Sequence, residues 1–148
     1  MAKPSILFVG LPLSEVDPDF RPKLEAMIKD ALRNMEEAGY DSKALNVEGS
    51  DDQVEKAAIH ELTARKWDAV CIGNGIRGNQ SELHAVYDKL AQRGLANPPI
   101  PNSCVCLEYT VMFEKLVNAV HLHSPHSKFL FNSTPADTLD AAKRQIPV

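Results

Sequence analysis

Two short apolar runs, each stopped by a glycine, constrain the fold of this chain more than any other feature. Ser5-Ile6-Leu7-Phe8-Val9 ends at Gly10, and Ala69-Val70-Cys71-Ile72 ends at Gly73. Neither run alternates with polar residues, which is the pattern of a strand covered on both faces in a parallel sheet. Parallel neighbours need a long crossover, and the intervening sequence supplies helical periodicity at the right spacing. Residues 11–20 form an aperiodic loop with Pro12, Pro18 and the acids Glu15, Asp17 and Asp19. Pro22 then suits a first helical position, and Leu24, Ile28, Ala31, Leu32 and Met35 recur on one face until Gly39 closes the segment as a C′ glycine. Ala44-Leu45-Asn46-Val47 reads as a short second strand. Ser50 with Gln53 is a capping-box signature opening a helix that buries Val54, Ala58 and Leu62.

In the second half, Ser81 can cap a helix carrying Leu83, Val86, Tyr87 and Leu90, with Gly94 as its stop. The prolines of Asn97-Pro98-Pro99-Ile100-Pro101-Asn102 make that stretch an extended connector. Ser103-Cys104-Val105-Cys106-Leu107 reads either as a fourth strand, the preferred reading, or as the run-up to the helix carrying Phe113, Leu116, Val117 and Val120. Phe129-Leu130-Phe131 is the last strand. Thr134-Pro135 followed by Asp137 supplies the cap, first-turn proline and acid of a final helix. Strands alternating with helices imply right-handed βαβ units in an open parallel sheet with helices on both faces. The expectation is a single α/β domain over residues 1–148, flavodoxin-like, with strand order 2-1-3-4-5. The alternative is its four-strand version, in which residues 78–102 are an inserted helix and proline-rich loop.

Composition narrows the partners. The chain has 148 residues, 44% hydrophobic and 24% charged, which suits one domain with a sizeable core. A net charge of −4 without basic clusters argues against nucleic-acid binding, which draws its affinity from clustered Lys and Arg. No apolar stretch approaches the ~20 residues of a membrane span, and Met1 to Pro4 leads straight into a strand, so a soluble cytoplasmic protein with no membrane partner is expected. Cys71, Cys104 and Cys106 form neither an even framework nor a C-x-x-C pair, which favours reduced thiols.

In such sheets ligands sit outside the carboxyl ends of the strands, where the strand order reverses. The segment expected there, Gly73-Asn74-Gly75-Ile76-Arg77-Gly78, combines glycines that let a backbone turn and expose amides with a planar guanidinium suited to carboxylate or phosphate. Arg77 with the amides of Gly73, Asn74 and Gly75 is therefore the candidate anion site, with Gly10 on the neighbouring strand end. Asn132 and Ser133, at the end of the last strand, are candidates to orient a ligand. Cys71 and Arg77 also fit the C-x5-R spacing of cysteine phosphatases, in which Asp17 or Asp19 would be the general acid. Against that, Val70 precedes the cysteine where that family has His, Gly78 follows the arginine, and Ile72 continues the strand past Cys71. A core thiol is the favoured reading of Cys71.

Other signatures fail. Gly10-Leu11-Pro12-Leu13-Ser14 is neither a dinucleotide nor a triphosphate loop, and it lacks the hydroxyl-rich phosphate loop of flavodoxins. His121 and His123 point about 200° apart on a helix and cannot share an ion there. His60 and His84 are lone, and Cys104 with Cys106 lacks a second ligand pair, so no metal and no cofactor is expected. Three segments, Asp68-Ala69-Val70-Cys71-Ile72-Gly73-Asn74-Gly75-Ile76-Arg77, Phe113 through His121, and Phe131-Asn132-Ser133-Thr134-Pro135-Ala136-Asp137-Thr138, resemble a family of small bacterial and fungal proteins to which no activity attaches. In that pattern the arginine loop leads more directly into the Phe113 helix, which favours the four-strand alternative. The expectation is a protein that binds an anionic or polar small molecule, with Glu15, Asp17 and Asp19 as acid-base candidates should it be an enzyme. The alternative is a non-enzymatic interaction protein. A homodimer fits either, covering the apolar segment around Pro98 to Leu107.

Overall fold

The computed structural model describes residues 2–10, 12–16, 18–45, 47–48, 50–77 and 105–148. Four parallel strands form one sheet: β1 (Ser5–Val9), β2 (Asp41–Leu45), β3 (Ala69–Ile72) and β4 (Lys128–Leu130), in the order β2-β1-β3-β4. The helices are α1 (Arg21–Glu37), α2 (Asp51–Ala64), α3 (Asn74–Arg77), α4 (Val105–His123) and α5 (Thr138–Gln145). Among the described residues the architecture is a single open α/β sheet in the four-strand order 2-1-3-4, and the five-strand order is not formed among them. The reason lies at Val105, where α4 begins inside the apolar run read as a strand. A short apolar run contiguous with a helical one has no periodicity of its own to tell strand from helix. The helix expected from Ser81, the proline connector and the insertion over 78–102 lie outside the described residues.

β1 and β3 form the centre, with Leu7 beside Val70 and Val9 beside Ile72. Alternate residues feed two cores. Leu7, Val9, Val70 and Ile72 face α2, α3 and α4 through Val54, Ala58, Ile76 and Leu116, whereas Ile6, Ala69 and Cys71 face α1 and α5 through Met35 and Ala142. Phe8, at the carboxyl half of β1, is only half-buried. The helix that follows β1 covers one face and those that follow β2 and β3 cover the other, so the strand order reverses between β1 and β3.

Local chemistry sets several boundaries. Gly39, at φ 94°, closes α1, with its N–H on the Glu36 carbonyl and the Tyr40 N–H on the Met35 carbonyl, both at 3.0 Å. This is a Schellman motif, and its apolar pair, Met35 and Tyr40, lies in the core. Gln53 Oε1 accepts the Ser50 N–H at 2.9 Å to start α2. β2 begins three residues earlier than the hydropathy suggests, at Asp41 rather than Ala44. As an edge strand it carries exposed Asp41 and Lys43 around a half-buried Ser42, so its pairing does not register as an apolar run. β4 likewise starts and ends one residue earlier than expected. Within the loop after β1, Leu13–Glu15 make one turn of 3₁₀-helix.

At the amino end of the sheet Asp68 ties β1 to β3. Its Oδ2 accepts the Ser5 N–H at 2.8 Å and the Ser5 hydroxyl at 3.0 Å. The Ser5 backbone bond is the main reason that its carboxyl sits below the usual carboxylate range. The stabilisation is present above the unfolded pKa of about 3.9 and is lost as pH falls through the lower folded value. In acid titrations of unfolding free energy, wild type should therefore lose stability below about pH 4 more steeply than Asp68→Asn. In the central core, Leu7→Ala should cost about 2–5 kcal/mol in urea unfolding, while Leu122→Ala, at a side chain 72% exposed, should leave the midpoint unchanged.

Candidate functional site

The ends of β1 and β3 meet closely. The Gly73 N–H donates to the Val9 carbonyl at 2.9 Å, and a Cβ on Gly73 would lie 3.6 Å from the Gly10 Cα. Gly73 does not make a left-handed turn, since Gly39 is the one glycine at positive φ among the described residues. The chain passes straight from β3 into α3, where the Ile76 N–H, at 3.1 Å, and the Arg77 N–H both return to the Gly73 carbonyl. Ile76, fully buried against α4, anchors that turn. The run read as a glycine loop is thus a helical turn, and the amides of Gly73, Ile76 and Arg77 are committed to backbone bonds.

One residue beyond Ile76, the half-buried Arg77 reaches across to the end of β4. Its Nη2 donates to the Asn132 carbonyl, and its guanidinium carbon lies 5.0 Å from the centre of the Phe131 ring. Phe131 stacks on Phe129, with centroids 6.1 Å apart and planes at 6°, and meets Phe113 of α4 at 6.4 Å. Asn132 is 6% exposed and donates from Nδ2 to the Thr138 hydroxyl at 2.8 Å. The Arg77 Nε and the Asn132 Oδ1 are both buried without a partner among the described residues. The structure therefore gathers Gly10, Gly73, Asn74, Gly75, Arg77, Asn132 and Ser133 at one carboxyl edge.

Ser133 stands differently from its neighbour. Its side chain is exposed and its N–H is held by both Asp137 carboxylate oxygens at 3.0 Å. Asp137 also accepts the Thr134 N–H at 2.7 Å. Burial raises its pKa, but the N–H groups of Thr134 and Ser133 outweigh that, and the net shift is downward. Two residues escaped the sequence reading. Phe131 was counted as strand, although it forms the shelf beneath Arg77, and Thr138 supplies the partner of Asn132. A helix-opening threonine six residues after an asparagine carries no signal of that pairing.

Among the acid-base candidates, Asp19 is exposed in the turn before α1 and Asp17 lies outside the described residues. Cys71 is fully buried beside Met35 and Leu130. Burial pushes its thiol up to about 12, against the weaker opposing pulls of the Arg77 charge and the Asn132 N–H. A phosphatase cradle needs an ionised sulfur, and the buried Cys71 thiol stays protonated. No group of three or more His, Cys, Asp or Glu side chains that could hold a metal occurs among the described residues, and no helix among them is long and apolar enough to cross a membrane. Comparison with known protein families, with curated proteins and with solved structures finds no match to this chain.

A protonated, fully covered thiol should not react. Cys71 is expected to resist iodoacetamide in the folded protein at pH 8 and to be labelled only after unfolding, as read by peptide mass analysis.

Proposed function

We propose that the protein binds a small anionic or polar molecule at the carboxyl edge of its sheet, with Arg77 holding the charge. The observation that carries this reading is the state of the guanidinium. It is fixed at one end by the Asn132 carbonyl and lies against Phe131, while its buried Nε lacks a partner among the described residues. An unpaired buried donor costs about 1–3 kcal/mol, which an added acceptor removes. The Asn132 Oδ1, likewise without a partner among the described residues, would offer an acceptor to a ligand donor. Gly10, Gly73, Asn74 and Gly75 form the backbone floor, and the Ser133 hydroxyl stands at the rim. Glu15, Asp17 and Asp19, which follow β1 in the sequence, are the acids through which binding would extend to acid-base chemistry. Cys71 has a packing role only, and its reduced state in the core fits a cytoplasmic setting.

A contact with another protein at this edge is the second reading, favoured by Phe131, which is 43% exposed beside Arg77. Thermal shift separates the two. Phosphate, sulfate or succinate should raise the melting temperature of wild type, reaching about 2.7 kcal/mol at a hundred times Kd, and Arg77→Ala should abolish most of the gain. Equal stabilisation of both proteins would remove Arg77 from the site, and no stabilisation by any of the three would favour the protein contact.

A further inference from the structure

We propose that β2 pairs antiparallel with β2 of a second copy of this chain, on a two-fold axis at Ser42. β2 is an edge strand whose one ladder partner among the described residues is β1. The Asp41 N–H donates to the Pro4 carbonyl at 2.8 Å. Peptide groups alternate in direction along a strand, so Asp41, Lys43 and Leu45 turn theirs toward β1, while Ser42 and Ala44 present N–H and C=O outward. Such a row is a template for another strand. The helices stand back from it, leaving depressions of about 450 Å³ on the α1 side and about 560 Å³ on the α2 side.

Charge selects both the occupant and the register. Asp41 bonds to Arg65 at 2.6 Å and Lys43 bonds to Glu61 at 2.7 Å, and the Asp41 and Lys43 side chains remain 48% and 51% exposed. Rotation about Ser42 sets Asp41 opposite Lys43 of the other copy and Lys43 opposite its Asp41, two attractive cross-strand pairs made by one symmetric surface. Ser42 then faces Ser42 as a hydrogen-bonded pair, using its outward N–H and C=O. An axis one residue on, at Lys43, brings two ammonium groups face to face, and an axis at Ala44 sets Lys43 opposite Leu45, so neither keeps the charge pairing. The dimer joins two four-stranded sheets edge to edge and leaves the Arg77 edge open.

Sedimentation equilibrium of the full chain tests this. Wild type should sediment at twice 16.3 kDa. Lys43→Glu turns both attractive pairs repulsive and should raise the dimer dissociation constant at least about tenfold. Ser42→Pro removes an outward donor that β1 does not use, and should yield a monomer whose melting temperature matches that of wild type diluted to monomer. Ser42→Cys should form an interchain disulfide on mild oxidation, because a hydrogen-bonded antiparallel pair has Cα atoms about 5.5 Å apart. Wild type at 16.3 kDa up to sub-millimolar concentration, or a dimer that survives both Lys43→Glu and Ser42→Pro, would overturn the proposal.

Discussion

Ile6, Leu7 and Val9 on β1 lie beside Ala69, Val70 and Ile72 on β3 in a ladder whose side chains are essentially inaccessible to water. With the backbone groups of this pair bonded to each other, burial is the favourable route for side chains of that kind, and both faces must be covered. From that requirement come the helices on each side and the reversal of strand order between β1 and β3. The reversal in turn sets the ends of β1 and β3, at Gly10 and Gly73, side by side at the carboxyl edge that Arg77 follows. The amino end is tied separately, by Asp68 accepting from Ser5, so β1 and β3 are held in register at both ends.

Electrostatics at the carboxyl end follow from the same burial. Cys71 and Arg77 are six residues apart along the chain, yet the sulfur belongs to the core and the guanidinium to the rim. The Arg77 charge and the Asn132 N–H favour a thiolate, but desolvation outweighs both and the thiol stays protonated. Arg77 finds its partners outward, in the Asn132 carbonyl and the Phe131 ring. An arginine held in this way is preorganised, so the anion binding proposed above would cost less side-chain entropy.

The two edges of the sheet are finished differently. β4 has three residues, and Lys128 turns its ammonium to the Gln145 carbonyl of α5. β2 has five residues and places Asp41 and Lys43 on its rim, Lys43 bonded back to Glu61 of α2 and Asp41 to Arg65 just past its end. An edge lysine usually discourages strand addition. Here the acid two residues before it, on the same face, makes the rim complementary to itself in one register.

By itself the sequence determined the central strands, the Gly39 end of α1, the capped start of α2 and the carboxyl edge as the place for Arg77 and Asn132. Each of these is written in a local pattern: an apolar run buried on both faces, a glycine where φ must be positive, a polar cap before a periodic segment. The strand expected at 103–107 failed because helix and buried strand share the same short apolar signature. β2 was misplaced because an edge strand is paired through its backbone and shows little of that in its side chains. Only the tertiary structure decided what the glycine run does. It made residues 74–77 a helical turn because Ile76 gains more by burial against α4 than the glycines gain from freedom. It also decided the partner of Arg77, since that bond joins residues brought together by the β3 to β4 crossover, and long-range proximity leaves no local trace in the chain.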